Sequence, residues 1–148
     1  ATHRLIKQTK IERIRNGFYV IIPPEFRNSK GLPPTYYIDA LMSFHEQPYY
    51  IGVLSAASLH GASHQSPQEL QVVTTKPLKL IETEQARIRF ITKKDFNQSL
   101  VIQLKTPTGF INVSSKEETV LDLLRYVRIA GHLDNVTTVI SELLEDIK

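Results

Sequence analysis

The chain has 148 residues, of which 41% are hydrophobic and 22% are charged, and it contains no cysteine. These values are typical of a globular protein with one main core, and they exclude disulfides, thiol catalysis and cysteine metal sites. No apolar run is long enough for a transmembrane helix and no charged-then-apolar leader is evident, so we expect a cytoplasmic protein without membrane insertion or secretion.

Positive charge is concentrated in two parts of the sequence. Residues 1–30 carry a net charge of +5 and residues 76–105 a net charge of +4, whereas residues 31–75 and 106–148 each carry −3. Clustered Lys and Arg side chains favour contact with phosphate or with an acidic partner. For any single block, a solvated surface is the simpler interpretation.

The first part of the chain has the pattern of a helix end followed by a β-hairpin. Residues 1–8 (ATHRLIKQ) are typical of the last two turns of a helix, and two β-rich runs surround Asn16-Gly17 in residues 10–22. This dipeptide favours a type I′ turn, because both central residues of that turn need positive φ. Counting outward predicts the pairs Arg15–Phe18, Ile14–Tyr19 and Arg13–Val20, with both arginines on one face.

A helix followed by a basic hairpin is the arrangement at the end of a winged helix, in which the helix enters a major groove and the hairpin lies on the adjacent backbone. On this hypothesis, bases are read by Thr2, His3 and Arg4. Phosphates or the minor groove are contacted by Lys7, Lys10, Arg13, Arg15 and Asn16. The alternative is a hairpin that merely faces solvent.

Four prolines, a glycine and a serine between residues 23 and 34 predict a linker. We therefore expect a partial winged-helix region at residues 1–24, a linker at 25–34 and an α+β domain at 35–148.

Within the α+β domain, apolar spacing predicts a helix from Thr35 that Pro48 ends. A second helix is expected at about 52–60, and Gly61 is placed to end it in the left-handed conformation. Apolar, β-rich runs predict strands near residues 70–75, 86–92, 100–105 and 110–113.

The C-terminal part has the pattern of two amphipathic helices. Ser115 precedes Glu118 by three residues, a capping box that predicts a helix start. This helix is expected to have an apolar stripe of Leu121, Leu124 and Val127 or Ile129. The last helix, at about 133–147, is expected to bury Val136, Val139, Ile140, Leu143 and Leu144. Together these elements predict an α+β fold with a mainly antiparallel or mixed sheet and C-terminal helices.

No pattern in the sequence predicts catalysis or a cofactor. His60 and His64 have the spacing of two metal ligands on a helix, but Gly61 falls between them, and core or turn-closing hydrogen bonds are the simpler role. Ser55 lacks the second glycine of a nucleophile elbow. The acidic residues show no pairing pattern of the kind that hydrolases use. We therefore expect a binding protein with no catalytic residue, no metal and no cofactor.

A second basic segment surrounds one of the predicted strands. Arg87 and Arg89 alternate along this strand, so both project to one side, opposite Ile88 and Phe90. This side could bind more DNA or an acidic partner, and a solvated strand face is the alternative. The candidate residues are Lys76, Lys79, Arg87, Arg89, Lys93 and Lys94.

Four segments of the sequence together resemble one protein family. They are IERIRNGFYVIIPPEFR (11–27), PYYIGVLSAASLHGASHQSPQELQVVT (48–74), TPTGFINVSSKEETVLDLLRY (106–126) and GHLDNVTTVISELLE (131–145). In content and order they resemble the AbiEi family, the antitoxin and transcriptional regulator of bacterial type IV toxin–antitoxin (abortive infection) systems.

The resemblance implies a repressor that binds double-stranded operator DNA, autoregulates its operon and counteracts a nucleotidyltransferase-like toxin. Family members normally begin with a winged helix-turn-helix, and this chain is expected to open within it. Whether the toxin is bound directly stays open. The alternative function is a protein-interaction module, whose C-terminal domain binds a protein partner without direct DNA contact.

Overall fold

Eight β-strands form two sheets in the part of the chain that the structure describes, namely residues 11–26, 31–62, 69–83, 86–128, 130 and 133–147. In this computed structural model, β1 (Ile11–Arg15) and β2 (Phe18–Ile21) form a separate hairpin. The other strands form one sheet: β3 (Tyr49–Ile51), β4 (Leu70–Thr74), β5 (Ile81–Glu82), β6 (Arg87–Thr92), β7 (Val101–Thr106) and β8 (Gly109–Ser114).

The larger sheet is mixed and has the strand order β5-β6-β4-β3-β8-β7. Its β4–β6 and β3–β8 pairs are parallel, and its other pairs are antiparallel. The four predicted strands are present, with ends within one residue of the prediction. The predicted α+β fold with a mixed sheet is therefore confirmed.

Strand β3 was not predicted, although it lies in the middle of the sheet. Its three residues are buried on both faces, so they lack the polar alternation that marks a strand in sequence. Tyr49 and Ile51 face one buried cluster and Tyr50 faces the other. A three-residue strand with this composition gives too little periodicity to be recognised.

Helices cover both faces of the sheet: α1 (Ile38–Phe44), α2 (Val53–Leu59), α3 (Lys116–Arg125) and α4 (Leu133–Asp146). On one face, Leu41 and Met42 of α1 pack with the hairpin against the sheet. On the other face, Leu123 of α3 packs with side chains of α4 around Tyr50. None of these helices is long and apolar enough to cross a membrane, within the part of the chain described.

The two shorter helices end in the same way. After α1, the Glu46 amide donates to Ser43 and the Gln47 amide donates to Met42, with Glu46 at a φ of 55°. After α2, the Gly61 amide donates to Ser58 and the Ala62 amide to Ala57, with Gly61 at a φ of 80°. Both are Schellman motifs, in which a left-handed residue satisfies the last carbonyls. The predicted left-handed role of Gly61 is confirmed.

The predicted register of the hairpin is wrong beyond its first pair. Arg15 pairs with Phe18 as expected, but Arg13 pairs with Tyr19, and Ile14 is the extra residue of a β-bulge. Asn16 does not adopt positive φ, so the turn is not type I′. Hairpins usually have type I′ or II′ turns because these match the right-handed twist of the strands. A bulge increases that twist locally, so it can take the place of such a turn.

The predicted apolar stripe of α3 is also wrong. Ser115 caps the helix, since its hydroxyl accepts a hydrogen bond from the Glu118 amide at 3.2 Å. However, α3 buries Glu118, Thr119, Asp122 and Leu123, whereas Leu121 and Leu124 are exposed. Of the other two stripe candidates, Val127 is partly buried after the end of the helix, and Ile129 lies outside the described residues. In α4, Val136, Val139 and Leu143 are buried as predicted, and Ile140 is partly buried, but Leu144 is exposed.

Candidate nucleic-acid interface

The β1–β2 hairpin is fixed to the sheet by apolar contacts. Ile14 and Val20 belong to the same buried cluster as Ile81 and Ile88. At the tip, Phe18 lies against Phe44 of α1, with ring centroids 5.5 Å apart. The hairpin is therefore a packed part of the fold, although the predicted division into two domains with a linker at 25–34 stays a prediction.

The bulge separates the two arginines that were expected to share a face. Directly paired residues lie on the same face, and successive residues lie on opposite faces. Arg13 therefore shares the outer, exposed face with Tyr19, whereas Arg15 shares the inner face with Phe18. Only Arg13 is presented to solvent in the way that the sequence predicted for both.

Arg15 is held against the body of the protein. Its Nη2 atom donates a hydrogen bond to the Lys79 carbonyl oxygen at 2.5 Å, and its guanidinium carbon lies 5.9 Å from the centre of the Phe90 ring. Burial lowers the pKa of the guanidinium from its usual value. Because an arginine stays charged in proteins, Arg15 still brings a positive charge to this contact.

The Arg15–Lys79 hydrogen bond joins the hairpin to part of the second basic segment. Lys79 is exposed at this contact, Lys76 is exposed three residues before it, and Asn16 is exposed at the hairpin tip. The outer hairpin face adds Tyr19 and Ile21, and Ile21 is 75% exposed. We call Arg13, Arg15, Asn16, Lys76 and Lys79 the hairpin surface.

Three of the four remaining residues of the second basic segment form ion pairs within the chain. Arg87 and Arg89 do project to one side of β6 as predicted, but Glu69 lies 3.7 Å from the first guanidinium and 2.8 Å from the second. Lys93 contacts the carboxylates of Glu118 and Asp122 at 2.5 and 3.3 Å. Lys94 is exposed. The six candidate residues therefore do not form one open basic surface.

Five predicted DNA contacts and one histidine lie outside the described residues: Thr2, His3, Arg4, Lys7, Lys10 and His64. His60 lies within them, and its Nε2 atom donates to the Ser114 carbonyl oxygen at 2.8 Å. This is the hydrogen-bonding role that was predicted for it. In the residues described, no group of three or more His, Cys, Asp or Glu side chains could hold a metal ion.

The comparison with known families covers the larger sheet from Tyr50 onward, together with helices α2, α3 and α4. The family model of the AbiEi antitoxin C-terminal domain matches residues 50–148, well over half of the chain. The chain belongs to the AbiEi antitoxin family. No curated protein matches it significantly. The match supports a role as the antitoxin of a toxin–antitoxin system.

The matched AbiEi domain contains a buried ionic cluster that sequence reasoning missed. The Tyr50 hydroxyl donates to Asp122 at 2.6 Å, and Lys93 lies between Asp122 and Glu118. Burial is the main cause that raises the pKa of both Asp122 and Tyr50. Every member has a partner, so the cluster fixes α3 on the sheet of the AbiEi domain. In sequence, Glu118 was noted as the acid of a capping box and Lys93 as part of the second basic segment, but nothing there linked the two.

Proposed function

We propose that this AbiEi antitoxin is a DNA-binding transcriptional repressor of a type IV toxin–antitoxin operon. In this proposal it binds double-stranded operator DNA, autoregulates its operon and counteracts a nucleotidyltransferase-like toxin without catalysing a reaction itself. The observation that carries the DNA-binding part is the Arg15–Lys79 hydrogen bond, because it joins the basic hairpin to the segment that contains Lys79.

The hairpin surface has the composition that a phosphate backbone requires. Arg13 and Asn16 are exposed on the hairpin, Lys79 is exposed where Arg15 contacts it, and Lys76 is exposed in the same segment. In protein–DNA complexes, phosphates are contacted by Arg and Lys side chains and by polar groups such as tyrosine hydroxyls. Tyr19 is exposed on the same face of the hairpin as Arg13. Each neutralised phosphate releases condensed counterions, so binding through this surface falls steeply with salt concentration.

Arg15 has a positioning role in this proposal. Its guanidinium is bound to the Lys79 carbonyl and lies near the Phe90 ring, so it holds the hairpin at a fixed angle to the sheet. Its charge adds to the field of the surface, while direct phosphate contact falls to the exposed Arg13.

Fluorescence anisotropy with a labelled duplex from the region upstream of the operon tests the DNA-binding proposal. Arg13→Ala and Lys79→Ala should each weaken binding and reduce the slope of log K against log salt by about 0.9, the value for one lost phosphate contact. Lys105→Ala is the matched control, since Lys105 is exposed on β7 at the opposite end of the sheet. Equal slopes for all three variants would refute the hairpin surface.

One observation favours the alternative function, a protein-interaction module. Glu69 pairs with Arg87 and Arg89, so this basic strand is less available for a DNA contact, and the alternative function needs no such contact. Rescue of cell growth in the presence of the toxin separates the two functions. If Arg13→Ala and Lys79→Ala abolish DNA binding but rescue growth like the wild type, antitoxin activity belongs to the body of the protein and not to DNA contact.

A further inference from the structure

The larger sheet ends at β7, and the outer edge of this strand is open. β7 is the last strand in the order of the sheet, and Ile102, Gln103 and Lys105 are exposed on it. All six residues of β7 pair with β8 in one unbroken register, so no bulge twists the edge away, and β7 contains no proline. A long and regular edge of this kind is a template for a further β-strand.

The hydrogen-bonding pattern of β7 determines which backbone groups point out of the sheet. One residue before the strand, the Leu100 carbonyl accepts a hydrogen bond from the Ser115 amide at 2.8 Å. Hydrogen-bonded and non-hydrogen-bonded pairs alternate along an antiparallel ladder, so Ile102 and Leu104 also bond to β8. The backbone groups of the odd-numbered residues of β7 therefore point away from the sheet.

Most of these outward groups are free. Val101 uses its amide in the turn before the strand, where it donates to the Gln98 carbonyl. Among the residues that the structure describes, the Val101 carbonyl and both backbone groups of Gln103 and of Lys105 have no hydrogen-bond partner. The open edge therefore offers donors and acceptors in alternation to a strand that approaches it.

We propose that β7 pairs antiparallel with β7 of a second copy of the chain, about a two-fold axis at Gln103. The Gln103 amide then donates to the Gln103 carbonyl of the second copy, and the Lys105 amide donates to the Val101 carbonyl of the second copy. The axis repeats each bond in the opposite direction, as an isologous interface requires. The pairing needs no amide from Val101, and it uses only the backbone of Lys105.

The side chains of β7 favour a second copy over an unrelated strand. The axis places Ile102, which is 37% exposed, opposite the partly buried Leu104 of the second copy, and the reverse pair forms as well. Both pairs are of the non-hydrogen-bonded kind, in which side chains come closest, so they cover apolar surface on the α1 side of the sheet. Backbone bonds alone admit any extended strand, whereas this match is a property of β7 itself.

The position of the lysine favours an axis at Gln103 over the neighbouring one. An axis at Leu104 would leave Ile102 opposite Thr106 and would bring the two Lys105 side chains into diagonal positions, roughly 7–8 Å apart, where like charges repel. With the axis at Gln103, each lysine lies opposite Val101, and the two lysines lie at opposite ends of the pairing.

Sedimentation equilibrium of the 148-residue chain and of two Gln103 variants tests this dimer, independently of DNA. Gln103→Glu and Gln103→Lys each place two like charges directly opposite at the axis, so each should raise the dimer dissociation constant about tenfold or more. In a mixture of the two variants, Glu meets Lys, and dimerisation should return to about the wild-type level. Glu82→Gln is the matched control, because it changes the net charge by the same amount as Gln103→Lys, on β5 at the opposite edge of the sheet.

Gln103→Pro tests the backbone bonds themselves. The amide that it removes points away from β8, so the monomer tolerates proline there, whereas the dimer loses both bonds at the axis. The variant should keep the far-UV circular dichroism of the wild type and stay monomeric. In the wild type, NMR should show the Gln103 and Lys105 amides becoming protected from exchange as concentration rises, whereas the Ile102 and Leu104 amides are protected throughout.

Three results would overturn the proposal. The first is a wild-type chain that stays monomeric up to about millimolar concentration. The second is a dimer that the Gln103 variants leave intact, because its interface would then lie elsewhere. The third is a mixture of the two charged variants that stays monomeric.

Discussion

Tyr50 of β3 and Asp122 of α3 are joined by a 2.6 Å hydrogen bond across 72 positions of sequence. Asp122 is fully buried, and Lys93 lies 3.3 Å from its other carboxylate oxygen. A buried carboxylate is tolerated only when it is both paired and hydrogen-bonded. Here the partners Tyr50 and Lys93 are joined by Arg125, whose Nη1 atom lies 3.0 Å from Asp122. This arrangement explains why α3 turns its acids inward.

Lys93→Met should destabilise the protein strongly. Methionine retains most of the side-chain volume but removes the ammonium that lies between Asp122 and Glu118, and it leaves these buried carboxylates with the more exposed Arg125. Breaking a buried pair costs about 3 kcal/mol. Urea unfolding followed by circular dichroism measures the loss. Lys94→Met is the matched control, because Lys94 is exposed and should change stability by less than about 0.5 kcal/mol. Similar losses for both variants would contradict a structural role for the cluster.

Helix α3, which buries its acidic side, was only partly predictable from the sequence. Its capping serine and its position were predictable, because both depend on residues close together in the chain. The face that it buries was not, since Glu118 and Asp122 depend on Lys93, which precedes β7 and β8 in the sequence, as well as on Arg125 of the same helix. Periodicity detects an apolar face, but it does not detect a charged face that a distant lysine neutralises.

The two Schellman motifs give a pair of opposite predictions. Glu46→Gly should stabilise the protein by about 1 kcal/mol, because Glu46 has a Cβ in a left-handed conformation that costs a non-glycine residue about this much. Gly61→Ala should destabilise it by about 1 kcal/mol for the same reason, since the space around Gly61 is open and only the backbone is strained. Thermal or urea unfolding measures both, and changes of the same sign would contradict the argument.

Arg15→Ala should affect both the stability of the fold and the titration of a neighbouring histidine. The variant loses a hydrogen bond to the Lys79 carbonyl and a contact with Phe90, together worth about 1 kcal/mol. The pKa of His45 is lowered first by burial and second by the positive charge of Arg15. The pKa of His45 should therefore rise toward its usual value in Arg15→Ala, as measured by NMR of the imidazole protons.

Arg13→Ala is the control for this pair of effects. Arg13 is exposed on the outer face of the hairpin, so its removal should change neither the unfolding midpoint nor the titration of His45. If Arg13→Ala raised the pKa of His45 as much as Arg15→Ala does, the inward position of Arg15 would be wrong.

The hairpin was predictable as an element but not in its detail. Asn16-Gly17 places the turn correctly, and Arg15 pairs with Phe18 as counted. The bulge at Ile14 follows from a tertiary demand, because Ile14 and Val20 both pack into the cluster beneath the hairpin. Local sequence preferences do not predict this tertiary packing, and the bulge determines which of the two arginines is exposed.

Alkaline pH should unfold the protein because three buried tyrosines resist ionisation. Burial is the main cause that raises the pKa of Tyr37, Tyr49 and Tyr50 above the usual value of about 10. A raised pKa means that the folded state keeps protons that the unfolded state loses. The raised pKa values therefore contribute fully to the free energy of unfolding below pH 10. Above pH 10, each of these tyrosines lowers the free energy of unfolding by about 1.4 kcal/mol for every pH unit. Urea midpoints between pH 9 and pH 11 measure this loss. Tyr37→Phe should reduce the pH dependence of the urea midpoint by roughly one third of what the three tyrosines contribute. If the pH dependence is unchanged in this variant, Tyr37 does not keep its proton in the folded state.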